Sequence, residues 1–151
     1  MAMSSKQISE SMLRYSRYLG NLEDITLIIL RGHLLVEAEL NEILRDRLVW
    51  SNPVLKNGFT FSSKLKIVKG LLGEEESRKL KLESVDKLNK LRNMLAHNLS
   101  PQDDKGILEV FLNEELGIDG WDDYSNSHKL KLAIGQVCAR LCTVYAIKEN
   151  N

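Results

Sequence analysis

Of the chain's three histidines, His97 has the most suggestive surroundings. It closes the run Leu91-Arg92-Asn93-Met94-Leu95-Ala96-His97, in which the leucines keep helical spacing and Arg92, Asn93 and His97 are polar. On a helix, Asn93 and His97 stack on one face, and Arg92 flanks that face about 100° around the axis. Imidazole has an unperturbed pKa of about 6.5, so His97 could take a proton from a hydroxyl or return one to a leaving oxygen. Arg92 stays cationic and offers a planar fork to a phosphate whose negative charge grows in a transition state. Asn93 could hold the imidazole or a phosphate oxygen. The same three residues equally suit a protonated histidine resting on a helix dipole, with Arg92 and Asn93 solvated. Spacing alone leaves both open.

The remaining chemical residues are weaker candidates. His33 follows Gly32 in an apolar segment and lies one helical turn before Glu37, which predicts a His–Glu hydrogen bond that orients a helix. His128 stands among Asn, Ser and Lys and reads as a solvated side chain. Cys138 and Cys142 share a helix face, but two cysteines without a second pair make a poor zinc signature, so they read as reduced, partly buried thiols. A zinc site built from them and a histidine is the least favoured alternative. No Asp or Glu spacing reads as a metal site, and no cofactor is expected.

Helices must position these groups. The periodicity predicts a first helix over 6–19, a long second one over 22–49, a loop over 50–60, and a third helix capped by Ser62 or Ser63 and ended by Gly73. A fourth should open on Glu74-Glu75-Glu76 and run to about Asn98, ahead of Ser100-Pro101. Residues 99–123 are rich in Asp and Gly and read as a surface stretch, with 107–112 either a short extended segment or a brief helix. A last helix is expected over 127–148. The fold class is therefore all-α, an antiparallel bundle of four to five helices forming a single domain over 1–151. The front half of the second helix is apolar on more than one side. It should lie at the centre of the bundle or in an interface, and a homodimer is expected.

Composition narrows the function. The 151 residues carry equal numbers of basic and acidic side chains, which argues against a nonspecific nucleic-acid coat but leaves room for a local basic cleft. From Lys64 to Arg92 basic residues outnumber acidic ones, whereas nearly every charge between Asp103 and Asp123 is negative. The first ten residues are polar rather than signal-like, and the apolar run Ile25–Leu30 is too short to span a bilayer. A cytoplasmic protein with no membrane partner is expected.

The motif Arg92-Asn93-(x3)-His97 resembles that of the HEPN superfamily, small helical bundles carrying an Arg, a following polar residue and a His four to six residues on. The segment Arg31-Gly32-His33-Leu34-Leu35-Val36-Glu37 is similar to the long helix of the branch that includes mannitol-repressor proteins, and Phe61 to Leu72 is similar to its short helix before the motif. The resemblance covers residues 22–98. It implies a metal-independent endoribonuclease, a toxin or phage-defence component, with Arg92 and His97 catalytic and Asn93 supporting at a homodimer cleft. The expected product is a 2′,3′-cyclic phosphate. RNA and a cognate antitoxin are the implied partners. The same resemblance admits an alternative, a non-catalytic regulatory or protein-interaction module of the mannitol-repressor kind, tuning transcription.

Overall fold

A computed structural model describes residues 2–3, 5–97 and 105–148. The chain is an all-helical bundle, as expected, but seven helices rather than four or five stand among the described residues. They are α1 (Ser5–Leu19), α2 (Ile25–Arg47), α3 (Asn52–Lys56), α4 (Phe61–Lys79), α5 (Leu82–Ala96), α6 (Lys105–Leu116) and α7 (Asn126–Ala146). Residues Ala2–Met3 and Ile147–Lys148 form a two-residue antiparallel pairing. No helix among the described residues is long and apolar enough to cross a membrane.

α2 is the central element, in contact with α1, α4, α5 and α7. Asp24 caps it by accepting from the Leu27 N–H at 2.8 Å, and Ile28, Ile29, Leu35, Val36, Leu40, Ile43 and Leu44 are buried. Its apolar front half thus serves the core, yet Leu27, Leu30 and Leu34 remain exposed along one stripe. Gly32, a poor helix residue by itself, is where α2 and α7 approach most closely. A Cβ there would lie 2.3 Å from Ile134 Cδ1, and Ile134 is fully buried. Gly32→Ala is expected to destabilise the fold by about 1–3 kcal/mol through overpacking. Adding Ile134→Val, which removes the clashing methyl, should recover part of that loss in denaturant titrations. Additive losses would contradict the close-approach explanation.

The extra helices arise from local chemistry. The expected loop over 50–60 contains α3, with Pro53 in its first turn, where the missing N–H costs nothing. Thr60, not Ser62 or Ser63, caps α4: it is extended (φ −69°, ψ 160°) and accepts from the Ser63 N–H at 3.2 Å. Gly73 interrupts α4 with φ 83°, the conformation expected of a terminating glycine, and helical structure resumes after it. The single helix expected from Glu74 onward breaks at Lys81, which is left-handed (φ 52°, ψ 48°). Leu80 and Leu82 are both buried on either side of it. Two residues apart on one helix they would face opposite ways, so the break lets both enter the core. The predicted stop at Asn98 to Pro101 lies outside the described residues.

The 107–112 segment is helical, not extended. Leu108, Phe111, Leu112 and Glu115 are buried at helical spacing while Val110 is exposed, which is the pattern of a helix packed on one side. α6 is therefore part of the core rather than a surface stretch. Two buried carboxylates tie the bundle together. Glu39 of α2 accepts from Ser11 Oγ at 2.6 Å and Arg14 Nη2 at 3.1 Å on α1, and from the Tyr145 hydroxyl on α7. Glu115 of α6 accepts from Ser84 Oγ at 2.6 Å and from both guanidinium nitrogens Nη1 and Nη2 of Arg140, at 2.6 and 2.5 Å.

Candidate functional site

The motif residues sit on the last turns of α5, whose inward face carries Val85, Leu88 and Leu91 into the core. Asn89, Arg92 and Asn93 are spaced three and four apart, so they share the neighbouring face. That face forms one wall of a cleft of about 480 Å³. α2 contributes His33 and Glu37 to it, and the start of α4 contributes Phe59, Thr60, Phe61 and Ser62.

The floor is a buried, hydrogen-bonded pair. His33 is buried, and its Nε2–H donates to Asn89 Oδ1 at 3.0 Å. Phe61 covers the imidazole, with ring centroids 4.2 Å apart and planes inclined by 29°. The expected His33–Glu37 bond is not the one formed. Glu37 pairs instead with Lys64 Nζ at 2.9 Å, because α4 brings that ammonium against it. Burial holds the His33 pKa below its ordinary value, and the nearby Arg92 charge adds to this. The Asn89 bond and Glu37 oppose it. With an unperturbed value of about 6.5, the ring is therefore neutral at pH 7.

That shift predicts a pH dependence. A folded pKa below the unfolded one means that the unfolded chain binds more protons between the two values, so stability rises with pH there. The His33 contribution is complete above about pH 6.5 and is lost as pH falls through the folded value. Calorimetry from pH 7.5 to 5 should show a steeper loss of melting temperature in the wild type than in His33→Gln. Parallel profiles would contradict the assignment.

The rim is open and cationic. Arg92 and Asn93 are exposed, and Arg92 Nη1 donates to Asn93 Oδ1 at 3.3 Å. Glu37 is the sole carboxylate in the lining and already faces Lys64, whereas Arg92 makes no ion pair among the described residues. The cleft thus presents a guanidinium without an ion-pair partner among the described residues, over a neutral imidazole and two amides. Such a surface suits a phosphate rather than a cation.

The structure brings together two of the three motif residues. His97 is the C-cap of α5 (φ −97°, ψ 19°), its backbone N–H bonded to Met94 O at 3.1 Å, and its side chain is exposed. It does not line the cleft. Four residues after Asn93, it stands about 6 Å further along the helix axis. Within one copy the cleft lining therefore includes Arg92 and Asn93 but not His97.

No family model, curated protein or solved structure matches this chain. The other candidates are structural. His128 is exposed, as expected, and stacks on Tyr124 with centroids 5.0 Å apart. Cys138 and Cys142 are buried free thiols, and burial pushes the Cys138 thiol far up from its ordinary value, so it is poorly nucleophilic. Sequence reasoning missed Asn89, Phe59 and Lys64. Asn89 had a signal: with Asn93 and His97 it makes a polar stripe repeating every four residues along the helix. Phe59 and Lys64 had none, because only the fold of α4 against α2 brings Phe59 to the cleft and Lys64 to Glu37.

Proposed function

We propose that the chain is a metal-independent endoribonuclease of the HEPN type, acting as a cytoplasmic homodimer in toxin or phage-defence systems. The observation that carries this reading is the exposed Arg92 guanidinium, without an ion pair among the described residues, on the rim of a cleft and on the same helix end as an exposed imidazole. Arg92 and Asn93 hold the scissile phosphate. His97 accepts the proton of the ribose 2′-hydroxyl as its oxygen attacks phosphorus, and the leaving 5′-oxygen takes a proton from the partner's His97. Arg92 offsets the charge that develops on the non-bridging oxygens. The products are a 2′,3′-cyclic phosphate and a free 5′-hydroxyl, so no water enters the cleavage step.

A dimer is integral to this proposal, because a proton donor and a proton acceptor are both required and each copy supplies one His97. The exposed stripe of Leu27, Leu30 and Leu34 gives a copy of α2 apolar surface to bury. That same stripe favours the second reading, a non-catalytic regulatory or protein-interaction module of the mannitol-repressor kind that binds a protein partner. Purified protein incubated with unstructured RNA decides between them. Cleavage unchanged by EDTA is expected, and a requirement for added Mg²⁺, or folded dimer without activity, would overturn the nuclease reading.

A further inference from the structure

The Arg92 cleft has an aromatic lip that phosphate chemistry does not use. Phe59 lines it beside Arg92 and Asn93 and is 41% exposed, whereas Phe61, two residues on, is 6% exposed and belongs to the core. A phenylalanine ring left open in a cleft presents a flat π face with no polar atom of its own to satisfy. Asn93 supplies an amide that can both donate and accept, and Arg92 supplies the cation. The floor beneath them, His33 with Asn89, is already paired and neutral. Flat face, amide edge and exposed guanidinium correspond to the three parts of a nucleotide: base, base edge and phosphate.

We propose that Phe59 is a specificity-determining residue of this cleft, which holds one unpaired RNA nucleotide with its base against Phe59 and its phosphate on Arg92. The inference rests on the RNA reading of the same site and names what that site selects. A base within a duplex is stacked and paired, and must be extruded before its face can meet a protein ring. A cleft that used Arg92 alone would bind single and double strands through the same phosphates. The aromatic lip is what makes it discriminate.

The test reads binding rather than turnover, in full-length protein carrying His97→Ala so that the probe survives. Fluorescence anisotropy would compare a labelled mixed-sequence RNA 12-mer with the same strand annealed to its complement. Tighter binding of the single strand is expected. Phe59→Ala should weaken it by about five- to 150-fold, the usual worth of one stacked base, and leave duplex binding within about twofold. Phe59→Trp should retain single-strand binding, and Phe59→Leu, apolar but not flat, should not. Arg92→Ala should weaken both forms. Equal affinity for the two RNAs, no effect of Phe59→Ala in folded protein, or no RNA binding at all would overturn the proposal. Its failure is separable from that of the nuclease reading. Cleavage by wild type with Phe59-independent binding leaves a nuclease without this selectivity. Phe59-dependent binding without cleavage by wild type leaves the nucleotide cleft and removes the catalysis.

Discussion

His97→Ala is expected to lower the rate of RNA cleavage by about 10²- to 10⁴-fold, the usual contribution of a positioned general acid or base. The loss should be chemical rather than structural. The His97 side chain is exposed, and its role in ending α5 is played by its backbone N–H, which an alanine keeps. Helical content and oligomeric state should therefore match wild type. Arg92→Ala should cost about 10²- to 10³-fold, comparable to removing one donor that stabilises a developing oxyanion. Arg92→Lys keeps the charge and loses the fork, so an intermediate rate is expected. Initial rates on one RNA, with circular dichroism and size-exclusion profiles alongside, check all three. Full activity of both alanine variants would leave the α5 motif without a catalytic role.

The largest expected effect on stability lies away from the site. Glu115→Ala should destabilise the fold by about 3–5 kcal/mol, because it strands a buried charge rather than deleting a favourable pair. The Glu115 carboxylate is completely buried and the Arg140 side chain only 21% exposed. Arg140 Nε also donates to the Leu80 carbonyl at 3.1 Å, at the bend before Lys81, so the guanidinium cannot swing out to water without freeing that carbonyl. Ser84 Oγ would lose its partner as well. Replacing both ions by apolar residues of similar volume, Glu115→Leu with Arg140→Met, should recover most of the loss. Urea denaturation of the two variants is the check. Equal destabilisation by single and double substitution would mean that the pair itself, not the stranded charge, carries the energy.

The amphipathic helices were legible because apolar side chains at helical spacing must be buried together. Ile28, Val36, Leu40 and Ile43 on α2, and Ile134, Val137 and Leu141 on α7, keep helical spacing in the sequence and are all buried. What escaped was punctuation. The break at Lys81 depends on two leucines on either side of one residue both reaching the core, and no local preference of Lys announces it. α6 was ambiguous because 107–112 is a short, nearly continuous apolar run broken only by Glu109, which suits a buried strand as well as a helix. The presence of α5, α7 and their partners for Glu115 decides the outcome. At the site, the polar face of α5 was readable from the sequence, but its depth was not. His33 was assigned to Glu37 because they lie one turn apart. The fold instead offers Asn89 to the imidazole and Lys64 to the carboxylate, and long-range contacts of this kind leave no trace in spacing.

The chemistry of the new RNA ends tests the central claim most directly. Wild-type and His97→Ala proteins would be incubated with one unstructured RNA in EDTA, and the termini on either side of each cut identified by mass spectrometry. A 2′,3′-cyclic phosphate and a 5′-hydroxyl from the wild type alone is the predicted result. A 3′-hydroxyl with a 5′-phosphate, or cyclic-phosphate ends in equal yield from both proteins, would contradict it.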